Sequence, residues 1–272
     1  MTTVTREARQ AERSKPVEVL GRIGMVCYGA VHVIVAYLAV RVATGSDTQR
    51  ADQSGALQEI ASTSFGGVVL WVLAIGLFTF AVWQLLLAAV GFTWRTKKRT
   101  RVLKRLGAVV RAVVGIAIGV AAVKLATGNG GSDSGEKQKT LTARLLELPA
   151  GRFLVGLVAL IVIGFGVGAI VSGARRSFMK DLNTMELPRG TQQWVRRLGM
   201  IGYIAKGVAI GIVGVLIGIA ALQSDPGKAG GLDAALRTLA GQPFGPYLLF
   251  AVAIGLAAFG IYCFAAARSH RA

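Results

Sequence analysis

Six stretches of the chain, at approximately 22–43, 66–92, 106–126, 152–174, 199–222 and 246–267, are apolar almost without interruption. A soluble bundle interleaves charged residues at helical spacing so that one face of each helix meets water, and these stretches do not. Each is about 20 residues or more, the length a helix needs to cross roughly 30 Å of hydrocarbon. The pattern therefore predicts six transmembrane helices. The first stretch follows a polar segment, residues 1–17, and is long enough to span, so it reads as an anchor that is kept rather than as a cleaved leader.

The stretches repeat. "GRIGMVCYGAVHVIVAYLAVRVATG", "KRLGAVVRAVVGIAIGVAAVKLATG" and "RRLGMIGYIAKGVAIGIVGVLIGIA" align without gaps, bringing Gly24, Gly107 and Gly199 into one column. The following stretches align Gly66 with Gly151 and Gly245, Ala74 with Ala159 and Ala253, and Phe80 with Phe165 and Phe259. The chain reads as three copies of a two-helix hairpin: 18–92 (repeat 1), 106–174 (repeat 2) and 195–268 (repeat 3), joined by basic links at 93–105 and 175–194. Every copy starts from a basic edge, so the expected fold is all-α, with three hairpins of parallel orientation, pseudo-threefold about the membrane normal. Gly115 with Gly119, Gly207 with Gly211 and Gly214 with Gly218 are small-residue pairs one turn apart that suit close helix contact. Between the helices of each copy, "SGALQEIA", "TLTARLLEL" and "DAALRTLAG" predict short amphipathic helices on the outer leaflet or capping the bundle, with Ser54 and Asp233 as candidate N-caps.

Composition agrees: 53% of the 272 residues are hydrophobic and 16% charged, with a formal net charge of +18. Distribution makes the charge informative. The link 93–105 carries Arg95, Lys97, Lys98, Arg99, Arg101, Lys104 and Arg105 with no acid, and the N-terminal segment, the second link and the C-terminal tail are also basic. The opposite loops hold only Arg50; Lys137, Lys139 and Arg144; and Lys228 and Arg237. The positive-inside rule places both termini in the cytoplasm, with anionic lipid headgroups as natural partners of the basic links. Nucleic-acid binding is not expected, since basic residues there come interleaved with aromatics and only Trp94 beside Arg95 does so here. Cys27 and Cys263 fall inside spans with no ligand-spaced His or Cys, so neither a metal nor another cofactor is expected.

These residues resemble the bacterial membrane family catalogued as domain of unknown function 1206: three two-helix repeats opening on basic residues before Leu/Ile-Gly, with an outer "GAL" or "AAL" and then "PFG". The resemblance covers roughly residues 18–268 and implies fold and topology, with no catalytic residue to carry over. Repeat 2 departs from the pattern, with Ala150 in "PAG" and with Arg111 where the other copies have Tyr28 and Tyr203. Mitochondrial carriers also have three two-helix repeats, but the Pro-x-Asp/Glu-x-x-Lys/Arg signature that closes their odd helices is missing here.

Ionisable groups at membrane depth are the candidate functional residues. Arg41 and Lys124 lie near the outer ends of their spans and Arg111 about four residues inside the third, each able to snorkel to a headgroup. Lys206 is deeper, seven residues past Gly199 or about 10 Å along the helix, and breaks the repeat, since Val31 and Val114 hold the equivalent positions. It is an anchor or a site residue. His32, near the middle of the first span, is a possible intramembrane polar site. No span contains Asp or Glu, which argues against a cation relay and in favour of an anionic partner. Ser54, Ser62 and Ser64 have no histidine near them, with His270 on the opposite side, and "GNGGSDSGEK" lacks phosphate-loop spacing, so no enzymatic activity is expected. The pattern points first to a non-enzymatic envelope or scaffold component that binds anionic lipid, a membrane-protein partner or a second copy. The alternative is a small transporter or channel for an anion or amphiphile. Lys206, Arg111, Arg41 and Lys124 are the candidate anionic-lipid or anion contacts in either case.

Overall fold

A computed structural model describes residues 15–45, 50–92, 98–129, 134–182 and 189–269. Most of the polar segment 1–17, residues 93–97 and 183–188 of the two basic links, and His270 lie outside the described residues. Nine α-helices occupy the described residues: α1 (Lys15–Ala43), α2 (Gln53–Ala61), α3 (Gly66–Ala89), α4 (Lys98–Ala126), α5 (Ser134–Leu146), α6 (Gly151–Ala174), α7 (Arg189–Gln223), α8 (Leu232–Ala240) and α9 (Gly245–Ser269). Short 3-10 turns add Ser177–Asp181 and Pro226–Lys228. α1, α3, α4, α6, α7 and α9 are each long and apolar enough to cross a membrane. In hydrocarbon every backbone N–H and C=O must be paired within the segment, and a continuous helix does this.

The long helices form a curved row, α4–α3–α1–α9–α7–α6, each packing on the next. Glycines set the approach. A β-carbon on Gly29 of α1 would lie 2.8 Å from Gly260 O of α9, and one on Gly166 of α6 would lie 2.8 Å from Gly207 O of α7. No side chain fits at such separations, and backbone-to-backbone contact replaces the hydrophobic drive that lipid cannot supply. Of the glycine pairs expected from the sequence, Gly207 and Gly214 press on α6, and Gly115 and Gly119 lie against α3. A β-carbon on Gly211 would meet nothing within 4 Å, although its own backbone receives Gly166.

Repeats 1 and 3 close as hairpins: Gly24 lies against Phe80 and Gly76, and Gly202 lies against Phe259. Repeat 2 does not. Its helices α4 and α6 stand at opposite ends of the row and make at most glancing contact, α4 packing on α3 and α6 on α7. The local cause is visible in the repeat alignment. Gly76 and Gly255 are close-approach positions, filled against Cys27 and Ala205, whereas repeat 2 has Ile161 in that column, and Ile161 is exposed.

The short helices α2 and α8 cap the bundle from the side away from the termini. Gly55, Ala56, Leu57 and Ile60 of α2 are buried against α1, α3 and α4, and Ala235 and Leu236 of α8 are buried as well. The caps differ from the expected ones. Asp52, not Ser54, caps α2, accepting from Gly55 N at 2.9 Å, and Gly231 precedes α8. Asp233 sits inside α8 and joins the two elements: its Oδ1 accepts from Ala51 N at 2.9 Å and its carboxylate pairs with Arg237 at 3.0 Å. An exchange at this column of Asp for an apolar residue would leave the Ala51 N–H unpaired, which is why a charge is tolerated there.

The α6–α7 contact gives a direct check. Gly166→Val is expected to destabilise the protein by about 2 kcal/mol through overpacking, while Gly168→Val, whose β-carbon meets nothing within 4 Å, leaves unfolding in detergent close to wild type.

Candidate functional site

Polar groups from several of the long helices line one pocket of about 50 Å³ at the basic end of the bundle. Tyr28 comes from α1, Phe80 and Gln84 from α3, Lys104 and Arg111 from α4, Tyr203 from α7, and Phe259 and Tyr262 from α9. Tyr28, Arg111 and Tyr203 are the same column of the three repeats, and all three line the pocket. Phe80 and Phe259 also share a column, but Phe165 is absent from the lining because α6 has moved away with the split of repeat 2.

Lys206, on α7, does not line the pocket itself but holds two residues that do, Tyr28 and Phe259. Its ammonium donates to the Tyr28 hydroxyl at 2.7 Å and lies 4.1 Å from the Phe259 ring centroid and 4.8 Å from that of Tyr28. Two ring faces and a phenol oxygen replace part of the hydration that the ammonium loses, the rings contributing about 2 kcal/mol where water is excluded. The stem therefore turns into the bundle, among neighbours that are neutral. Arg111 behaves in the same way: its Nε donates to Gln84 Oε1 at 3.2 Å, and Gln84 is only 2% exposed. Among the described residues neither cation has a carboxylate partner.

The second basic link supplies the one acid. Phe178 is buried, stacks on Tyr203 with centroids 5.1 Å apart and meets Tyr262 edge-on at 5.2 Å. Gly199 leaves the space that the Phe178 ring fills. With that anchor set, the 3-10 turn delivers Asp181 to the pocket, where its carboxylate pairs with Lys104 at 2.8 Å.

The other candidates lie elsewhere. Arg41 is on the far side, 3.8 Å from the Glu59 carboxylate and 6.0 Å from the Tyr37 centroid. Lys124 is exposed in the last turn of α4. His32 is buried one turn beyond Tyr28; its Nδ1 donates to Tyr28 O at 2.9 Å, and its ring lies 5.0 Å from Phe259. The structure thus brings together Lys206, Arg111 and His32 and separates them from Arg41 and Lys124. Gln84 and Asp181 were not singled out by sequence reasoning. Gln84 carried a signal, as an amide among apolar residues near the end of its span, whereas Asp181 in a basic link carried none.

The profile described as Domain of Unknown Function (DUF1206) matches the chain three times, over residues 23–91, 106–176 and 201–270. The middle match joins the two long helices that stand apart. YxxB, an uncharacterized protein of Bacillus subtilis (strain 168), is 30% identical over 252 residues, covering 92% of this chain and 90% of that protein. No solved structure matches the chain.

If Lys206 is kept at a cost in stability, Lys206→Met leaves the unfolding free energy unchanged or raises it, because it removes a desolvated charge. Tyr28→Phe is expected to lower it by about 2 kcal/mol with Lys206 in place and by little in the Lys206→Met background, since only the former strands a charged donor. Equal losses for the two single variants would make the lysine structural.

Proposed function

The chain belongs to the DUF1206 family, and from that premise we propose that it is a non-enzymatic component of a bacterial inner membrane that binds anionic lipid at its basic, cytoplasmic end. The observation that carries this reading is the pairing of Arg111 and Lys206 with neutral acceptors around one pocket. A cation taken out of water is stabilised most by an opposite charge, and the only acid on the pocket wall, Asp181, is paired with Lys104. Beyond the one hydrogen bond each makes here, Arg111 has four further N–H groups and Lys206 two, so both can donate to an anion without giving up Gln84 or Tyr28. The basic links add a sequence-independent attraction to an anionic leaflet, about 1 kcal/mol per nearby charge. That same charge bias supports the cytoplasmic placement of both termini.

A small transporter for an anion or amphiphile is the second reading, and it draws on the succession Lys104, Arg111, Lys206 from the basic end inward. The two readings separate in one preparation. Native mass spectrometry of the full chain extracted from its membrane is expected to find anionic phospholipid retained, with retention falling about tenfold in Arg111→Gln/Lys206→Gln. Anion flux in proteoliposomes that Lys206→Gln abolishes would replace the binding reading with transport.

A further inference from the structure

The pocket wall between α4 and α7 is not made by packed helices. Arg111 and Tyr203 both line the pocket, yet α4 makes at most glancing contact with α7 or with α6. At the basic end the space between these elements is crossed by the Lys104–Asp181 ion pair, one partner on α4 and the other on the turn that follows α6. Farther along the helices no close packing joins α4 to α6, and these two spans are the least covered of the six. The side of the bundle next to the α4 wall of the pocket is therefore not closed by helix packing against α6.

Charge and size restrict what the pocket admits. Lys104, Arg111 and Lys206 set three positive charges against the single carboxylate of Asp181, leaving two in excess. A phosphomonoester carries about −1.5 to −2 near neutral pH, because its second ionisation lies near pH 6; a phosphodiester carries about −1. The pocket, about 50 Å³, has room for a few water molecules at roughly 15 Å³ each, enough for one phosphate group.

We propose that the pocket is a lateral binding site for a phosphomonoester lipid of the phosphatidate class, its phosphate held by Arg111 and Lys206 and its acyl chains in the gap between α4 and α6. The Lys104–Asp181 pair closes the basic end of this port, and Lys104 becomes a third phosphate donor when Asp181 gives it up. This rests on the reading of the protein as an anionic-lipid binder.

Full-length protein in micelles doped with equal amounts of phosphatidate and phosphatidylglycerol, read by native mass spectrometry, tests it. Phosphatidate is expected to be retained about tenfold over phosphatidylglycerol, the doubly charged headgroup making the stronger charge-assisted bonds, and inorganic phosphate at the same concentration displaces neither. Arg111→Gln brings the ratio close to one. Asp181→Asn, which takes the carboxylate away from Lys104, raises phosphatidate retention, a gain that misfolding does not produce. Equal retention of the two lipids overturns the headgroup assignment while leaving the anionic-lipid reading in place. Displacement by inorganic phosphate assigns the site to a soluble anion and overturns the lateral port. An unchanged ratio in Arg111→Gln moves the site elsewhere, and retention of neither lipid above a zwitterionic one overturns both readings.

Discussion

A cation inside a membrane domain has to be stabilised by whatever the helices bring to it, and here the six spans bring no carboxylate. That constraint shapes the basic half of the molecule. Lys206 is held by a phenol oxygen and two aromatic faces, and Arg111 by an amide oxygen. These acceptors have to be close and fixed, which requires the helices carrying Tyr28, Gln84 and Phe259 to approach closely. The glycine contacts of α1 with α3 and α9, and of α7 with α9, supply that approach. Close packing and charge accommodation are thus two sides of one arrangement.

The second organising feature is the unequal fate of the repeats. Repeats 1 and 3 keep a glycine where their helices meet, and they close; repeat 2 has Ile161 in that column and Arg111 in the tyrosine column, and it opens. The same two changes, one of size and one of charge, give the pocket both its gap and its cation. The divergent copy thus separates its two helices and puts a cation on the pocket wall where the other copies put tyrosines.

Much of this was legible along the chain. The spans follow from apolar length, the glycine contacts from their spacing, and the column holding Tyr28, Arg111 and Tyr203 from the repeat alignment. Lys206 stood out as the residue that breaks the repeat, although spacing alone could not tell a stem that reaches back to the headgroups from one that turns inward. That choice depends on Tyr28 and Phe259, which lie on two other helices. Asp181 was hidden because its role depends on Phe178 folding the link back over Gly199, a tertiary contact with no local pattern. Asp52 was missed as the cap of α2 because Ser54 matched the repeat register, while the helix begins where a carboxylate reaches Gly55 N.

The account turns on Arg111, on the pocket wall, and Lys206, which holds Tyr28 of that wall, lying near each other although their helices do not pack together. Replacing both by cysteine, in a chain whose native Cys27 and Cys263 are alanine, and treating it with a short bifunctional thiol reagent tests this directly. An intramolecular bridge between positions 111 and 206, recovered by peptide mass spectrometry, is the expected result. Independent single modification of the two cysteines, with no bridge between them, would contradict it.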